Sequence, residues 1–386
     1  MALLETMIGL TLGLLAVLVI VKSFASIEQF ARAGVAQADA QQRGALVSWR
    51  LVREIRMAGA GLGHSATAWG CRLNVWRAGA RLLPRASSWP APFANLPTTL
   101  LLTPVAASDQ TGPGDTDQLI FASARGSAGT APLTSSVVSA SMIEAGSTTA
   151  YRAGDLLLMT DATAVSDCQV GQVDSHYAQP AVGTPAATAI PTGPDGTLYN
   201  GPIGFANLAQ PADYTVLNLG STPSLQLVGV NTMGQLVLLD ALGMMTGTEP
   251  VVLAEQVRQF QVLYGIDDGI GGGVPNDNVI DRWVAPSGPW AFDTVHSAAT
   301  PALQVKAVRI AVVVRAGSPQ GRQGPASLTL FGDMPAPLQV IVPLTAAERF
   351  DQFQVYDMVI ALRNGSAALC SEPRRAAAVP APSICD

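Results

Sequence analysis

The apolar positions of the chain begin with one long run. Residues 1–21 read MALLETMIGLTLGLLAVLVIV, and Glu5 is the only charged residue among them. A run of about 20 apolar residues is long enough for a helix that crosses a bilayer. A carboxylate near the centre of such a helix costs roughly 2.5 to 3.5 kcal/mol on insertion scales, so it is rarely kept without a partner. The pattern therefore predicts a membrane-spanning helix whose single carboxylate needs a partner.

Helical spacing continues after this run, although polar residues now lie between the apolar ones. The glycines of MAGAGLG (57–63) make continuation costly and predict the end of the helix. The chain thus divides into a transmembrane helix (1–22), an amphipathic continuation (23–60) and a body (61–386). The apolar positions that recur at helical spacing are Phe24, Ile27, Ala31, Val35, Ala38, Ala45, Trp49 and Val52.

The body has the short apolar runs that are typical of β-strands. Such runs between Gly, Pro, Asn and Asp predict an antiparallel sheet that packs on the second half of the helix, an α+β fold. NTMG after Val230 predicts a hairpin loop, and alternation in 306–317 predicts a half-exposed strand with Arg309 and Arg315 outward. The predicted strands are 117–124, 154–160, 214–220, 224–230 and 235–241, and the predicted long loops are 79–116, 125–150, 178–212 and 317–327.

Composition narrows the functional classes. The chain has 386 residues, a net charge of −6 and only 13% charged residues, so it has no basic patch for nucleic acid. The even number of cysteines behind a membrane anchor favours disulfides and an oxidising compartment such as the periplasm. Four buried free thiols in a cytosolic protein are the alternative. The cysteines are Cys71, Cys168, Cys370 and Cys385.

The candidate catalytic motifs in the sequence do not meet the patterns that their chemistry requires. The three histidines, His64, His176 and His296, stand outside any nucleophile motif and are predicted to be surface or loop residues. GAGLG (59–63) follows a helix, whereas a dinucleotide-binding loop must follow a strand, and a P-loop lysine motif is absent from the sequence. These observations predict a protein that is not an enzyme and has no cofactor.

The segment 264–283 is the strongest candidate for a metal site. It places Asp267, Asp268, Asp277 and Asp281 around a run of glycines, and calcium prefers several converging carboxylate oxygens. The EF-hand spacing is not met, because glycines occupy its third and fifth positions. We therefore predict a solvated acidic hairpin tip, with a calcium site at these four aspartates as the alternative.

The start of the chain resembles a mature type IV pilin, which has an apolar first residue and glutamate at position five. Further landmarks resemble, in order, the PilW family of minor pilins. Lys22 departs from the pattern, since major pilins usually have a helix-bending proline there. The matching segments are MALLETMIGL (1–10), RLVREIRMAGAGLG (50–63), GDLLLMTDATAVSDC (154–168), EQVRQFQVLYGID (255–267) and FQVYDMVIALRNG (353–365).

This resemblance implies a type IV pilin-like fold and a role for particular residues. Glu5 is expected to pair with the N-terminal amine of a neighbouring subunit and so to set the register between subunits. Met1 is expected to be the processed, N-methylated first residue. The resemblance also pairs Cys71 with Cys168, which leaves Cys370 and Cys385 for a second disulfide.

The resemblance further implies a minor pilin that primes type IV pilus assembly, with the pilus tip as a candidate position. Its expected partners are other minor pilins, the major pilin, the prepilin peptidase and the assembly machinery. It would lie in the bacterial inner membrane with its body in the periplasm, and then in the pilus at the cell surface. The alternatives are a J-type pseudopilin of type II secretion, an adhesin that uses the loops of 79–212, and a membrane-anchored periplasmic enzyme.

Overall fold

One long helix opens the fold. The computed structural model describes residues 2–62, 68–124, 133–135, 139, 141–144, 148, 151–161, 167–178, 189–193, 197–202, 205, 214–244, 248–297, 299–317 and 323–362. Helix α1 (Ala2–Ile55) has 54 residues and is therefore about 80 Å long. It ends just before the predicted glycines, where Gly59 and Gly61 have φ of 78° and 69°. The Gly59 N–H donates to the Ala122 carbonyl at 2.8 Å, which fixes this turn to the body.

The described part of the body consists mainly of short strands with two short α-helices. The helices are α2 (Phe292–Ser297) and α3 (Ala299–Gln304). In chain order the strands are β1 (Arg72–Arg77), β2 (Ala80–Leu83), β3 (Val105–Gly112), β4 (Thr116–Ser123), β5 (Leu133–Ser135), β6 (Met142–Glu144), β7 (Leu156–Asp161), β8 (Asp167–Gln172), β9 (Ala189–Pro191), β10 (Tyr214–Gly220), β11 (Ser224–Val230), β12 (Leu236–Asp240), β13 (Val251–Ala254), β14 (Val257–Ile266), β15 (Arg282–Val284), β16 (Val305–Arg315), β17 (Ser327–Leu330), β18 (Val340–Pro343) and β19 (Phe353–Ala361).

These strands form three larger sheets and two ribbons within the described residues. The sheets have the orders β2-β1-β8-β7-β10-β5, β13-β12-β11-β4-β3 and β15-β14-β16-β19, and the ribbons are β17-β18 and β6-β9. Pairing is antiparallel throughout except between β1 and β8, where Leu73 lies opposite Cys168. A long apolar helix followed by a body of antiparallel sheets is the predicted α+β architecture, so the predicted fold class is confirmed.

Most predicted strands are present. β10 and β11 have the predicted bounds, and β4, β7 and β12 differ by a residue or two at their ends. The predicted hairpin joins β11 to β12, and the Asn231 N–H donates to the Gln235 carbonyl at 2.9 Å. Three predicted loops are wrong in part: 79–116 contains β2 and β3, 125–150 contains β5 and β6, and 178–212 contains β9.

The prediction for 306–317 is wrong in one respect. β16 is a central strand between β14 and β19, and of its residues only Arg315 is exposed. One face, which includes Ile310 and Val312, joins the main core. The other face, with Ala311 and Val313, is covered by the β17-β18 ribbon. Sequence alternation marks two faces of a strand, but it does not reveal that a second layer covers the more polar one.

Candidate assembly site on the N-terminal helix

Helix α1 contacts the body only along its C-terminal part. The described side chains from Leu4 to Arg32 are all exposed. From Ala40 onward, one narrow face is buried against β19, β16 and β13. The residues of this face recur at intervals of three and four, as helix packing requires. They are Ala40, Gly44, Val47, Leu51 and Ile55.

The tightest point of this packing is at Gly44. A Cβ atom at this position would lie only 2.0 Å from ring carbons of Tyr356 on β19. The Tyr356 hydroxyl lies 3.2 Å from the Ala40 carbonyl oxygen, which can accept its hydrogen. A glycine within a helix costs about 1 kcal/mol relative to alanine. Here that cost is offset by the close approach of the strand to the helix.

The apolar residues predicted from sequence lie on the opposite face of α1. Each residue turns the helix by about 100°, so Trp49 and Leu51 point in roughly opposite directions. Trp49 is 59% exposed, whereas Leu51 is 1% exposed. Phe24, Ile27 and Val35 are exposed on the same side as Trp49. The body packs on the second half of α1 as predicted, but these residues are not the face that it covers.

Helix α1 thus has two apolar faces. We call the exposed one the outer stripe, which comprises Phe24, Ile27, Ala31, Val35, Ala38, Ala45 and Trp49. The docked face was missed from the sequence because it begins with Ala40 and Gly44, whose small side chains give a weak hydrophobic pattern. A search for small residues at helical spacing would have found Ala40 and Gly44. Exposed ion pairs of the i,i+4 type, Arg32 with Glu28 and Arg43 with Asp39, support the helix between these faces.

Glu5 lies in the first turn of α1 with an exposed side chain. At ~1.5 Å per residue, about 50 Å of helix separates Glu5 from the first docked residue, Ala40. Because α1 is continuous between them, the described part of the body lies far from the Glu5 carboxylate. Met1 lies outside the described residues. Among the described residues, α1 is the one helix long and apolar enough to cross a membrane.

A disulfide joins Cys71 to Cys168 in the structure, the pairing that the resemblance implies. The two Cα atoms are 5.6 Å apart, and the residues are separated by 97 positions in the chain. Both are fully buried at the start of the parallel β1-β8 pair. Arg72 and Asp167, the neighbouring pair, form an ion pair at 2.6 Å. Cys370 and Cys385 lie outside the described residues.

The acidic segment forms the connection between β14 and β15, which pair as an antiparallel hairpin. Asp267 is fully buried, so it is not part of a solvated tip. Its carboxylate accepts the Asn276 and Asn278 N–H groups at 2.5 and 2.7 Å. The ammonium of Lys306, itself buried, lies 4.0 Å from an oxygen of Asp267. Burial lowers the pKa of Lys306 from its usual value.

The other three carboxylates of this segment also have partners within the loop. Asp281 accepts the N–H groups of Asp268 and Gly269 at 2.8 and 2.6 Å. Asp268 pairs with Arg282 at 2.6 Å, and this hydrogen bond lowers the pKa of Asp268. Asp277 accepts the Val279 N–H at 2.9 Å. Within the described residues, no three His, Cys, Asp or Glu side chains are grouped so that they could hold a metal ion.

The histidines differ in their surroundings. His296 on α2 is buried and stacks on Phe292, so its prediction as a surface or loop residue is wrong. Its Nε2 accepts the Leu101 N–H at 2.8 Å, and burial lowers its pKa to about 4. This neutral histidine is a structural acceptor. His176 is exposed beside Asp174, and His64 lies outside the described residues.

Comparison with known families agrees with the resemblance. Residues 214–364 match the model of the PilW family, type IV pilus-assembly protein W. The matched region begins at β10 and includes the β15-β14-β16-β19 sheet on which α1 docks. No curated protein and no solved structure matches the chain. The match over residues 214–364 supports a PilW-family identification, and PilW is a family involved in type IV pilus assembly rather than a known family of enzymes.

Proposed function

We propose that this chain is a minor pilin that takes part in the initiation of type IV pilus assembly and joins its neighbours through α1. The observation that supports this proposal is the outer stripe. One face of α1 holds the chain's own body, and the opposite face remains available to other subunits. A helix that only anchored the body in a membrane would need the docked face but not the outer stripe.

Lipid accounts for only part of the exposed apolar surface. The segment from Leu4 to Val21 spans about 26 Å, close to the ~30 Å thickness of a hydrocarbon core. The outer stripe from Phe24 to Trp49 continues for another ~37 Å, beyond the reach of lipid tails. Exposed apolar patches of such extent are typical of protein–protein contact. Other pilin helices are therefore the partners that we propose for the outer stripe.

Glu5 sets the register between subunits in this proposal. A carboxylate in a bundle of apolar helices is costly unless a positive group accompanies it. The N-terminal amine of a neighbouring pilin would supply that group, whereas a misplaced neighbour would leave the carboxylate unpaired. Before assembly, the N-terminal end of α1 favours an anion through its helix dipole. We propose that Glu5 adds little to membrane insertion and acts mainly when subunits meet.

The proposed location follows from the helix and the disulfide. α1 would hold the chain in the bacterial inner membrane with its body in the periplasm, where the Cys71–Cys168 bond is stable. The major pilin and other minor pilins are the proposed partners in the filament. Prepilin peptidase and the assembly machinery are the proposed partners before the chain enters the filament. We propose the tip of the filament as its position, as the resemblance to minor pilins implies.

Replacement of Glu5 by glutamine tests this function. In a host that lacks its own copy, Glu5→Gln should reach the membrane normally, but it should capture fewer partner pilins in crosslinking and restore few pili. Glu28→Gln is the matched control, because it makes the same chemical change in α1 beyond the apolar run of residues 1–21. Normal pilus number and normal crosslinking with Glu5→Gln would overturn the register role, and normal pili in the absence of the whole chain would overturn the assembly role.

A further inference from the structure

A pocket of about 560 Å³ lies on the body, far from α1 in the chain. It is formed by the β1-β2 hairpin, by the segment that follows β2 and by residues that precede β13. Its volume is within the range of about 300–1,000 Å³ that is typical of small-molecule sites. Three arginines line it, Arg77, Arg81 and Arg85. Glu249 is the single carboxylate among the described residues that line it.

These three arginines differ from most others in the described part of the chain. None of them forms an ion pair with a carboxylate of the described residues. Asp240 interacts with Arg77 electrostatically, but the two do not form an ion pair. The described arginines that do have a carboxylate partner are Arg32, Arg43, Arg53, Arg72, Arg258, Arg282, Arg309 and Arg315.

The hydrogen bonds of the pocket arginines go to neutral acceptors. Arg77 donates to the carbonyl oxygens of Gly243 and Met244, and its buried Nε has no partner among the described residues. Arg85 reaches the carbonyl oxygens of Ser87 and Ser88 at 3.3 and 3.4 Å, which are long bonds. A charged oxygen would be a better acceptor for both guanidinium groups.

The position of Arg85 strengthens this argument. Its guanidinium lies 4.6 Å from the centre of the Trp89 ring, and Trp89 is itself buried. Burial lowers the pKa of Arg85 from its usual value. Arg81 on β2 is more exposed and donates to Asn74 at 2.9 Å. The arginines are thus held in place without a negative partner.

We propose that this pocket binds an oxyanion-bearing ligand, through a carboxylate, sulfate or phosphate group that accepts hydrogen bonds from Arg77, Arg81 and Arg85. The aliphatic part of the wall, with Leu82, Pro90 and Met244, contacts the uncharged part of the ligand. This binding function is independent of the proposed role of α1 in assembly.

Calorimetric titration of the full chain in a non-ionic polyoxyethylene detergent at low chloride tests the proposal. The probes are inorganic phosphate, sulfate, glucuronate and glucose 6-phosphate, with glucose as the neutral control. We expect saturable binding of the anionic probes only. Tighter binding of the two sugar anions than of the free ions would assign the pocket to an acidic saccharide. Tighter binding of the free ions would support the same oxyanion site with an inorganic ligand.

Variants connect the binding to the pocket. Arg81→Gln and the double change Arg81→Gln plus Arg85→Gln should weaken binding by about tenfold or more, as expected for lost charge-assisted hydrogen bonds. Arg81 is exposed, so its replacement should leave the melting midpoint unchanged. Arg152→Gln, a change of the same charge outside the pocket, should bind as the natural chain does. Absence of saturable binding for every anionic probe, or equal binding by the Arg81 and Arg85 variants, would overturn the proposal.

Discussion

The ring of Tyr356 lies against the backbone of Gly44, and the Tyr356 hydroxyl lies 3.2 Å from the carbonyl oxygen of Ala40. This contact joins the C-terminal part of α1 to β19, the edge strand of the sheet that the PilW match includes. It fixes which face of α1 is covered by the body. The outer stripe consequently faces away from the body.

Gly44→Ala should loosen the attachment of α1 to the body. The added Cβ would overlap the Tyr356 ring, and overpacking of this kind costs about 1–3 kcal/mol of stability. Gly34→Ala is the matched control, since nothing lies within 4 Å of a Cβ at that position. It should be neutral or stabilising, because alanine favours helix by about 1 kcal/mol. Urea unfolding of the full chain in detergent measures both, and equal stability of the two variants would contradict the packing argument.

Substitutions of Trp49 and Leu51 should have different effects, although these residues are two positions apart. Leu51→Ala removes a buried side chain and should cost about 2–5 kcal/mol of stability. Trp49→Ser should leave the melting midpoint of the body nearly unchanged, because Trp49 is exposed, but it should reduce capture of other pilins. Thermal melts and crosslinking in membranes separate the two effects. Unchanged crosslinking with Trp49→Ser would remove this residue from the proposed interface.

Calcium should not change the melting midpoint of the chain. The four aspartates of 267–281 already accept hydrogen bonds within the loop or pair with Arg282, and the Lys306 ammonium lies 4.0 Å from Asp267. We propose that Lys306 takes the place of a metal ion here. The measurement is a melt in calcium and then in excess chelator. A midpoint that rises with calcium, and does so no longer in Asp277→Ala plus Asp281→Ala, would establish a calcium site instead.

Asp117 should make the chain less stable as the pH rises. It is buried between β3 and β14, where it accepts the Gln110 and Val262 N–H groups at 2.9 and 2.7 Å. Burial raises its pKa from 3.8 to about 8. The folded chain therefore keeps a proton that the unfolded chain releases, so stability is lost as the pH rises toward about 8. The slope contributed by this group is at most about 1.4 kcal/mol per pH unit.

The window between about pH 7.3 and 8 isolates this effect, because the buried His296 is neutral in the folded chain and, above its unfolded pKa of about 6.5, largely neutral in the unfolded chain as well. Urea midpoints across this window should fall with pH in the natural chain. Asp117→Asn should flatten the slope, whereas Asp293→Asn, an exposed carboxylate, should not. An unchanged slope in Asp117→Asn would show that this carboxyl does not hold a proton in the folded state.

Local pattern predicted the elements that depend on neighbours in the chain. The apolar run with Glu5, the end of α1 at the glycines, and the bounds of β10 and β11 follow from helical or strand periodicity and from the residues that interrupt it. The order of the matching segments along the chain predicted the resemblance to the PilW family, whose model matches residues 214–364. The structure contains the Cys71–Cys168 disulfide that this resemblance implies. These features can be predicted without knowing the tertiary contacts.

The contacts that define the sites join residues far apart in the chain, and only the tertiary structure decided them. Gly44 meets Tyr356 and Lys306 approaches Asp267, while Asp117 is buried under β14. The sequence determined that α1 is long and apolar and carries Glu5 near its start. It could not determine which apolar face of α1 is docked, because the hydrophobic pattern records apolar area, whereas the close approach at Gly44 depends on the absence of a side chain.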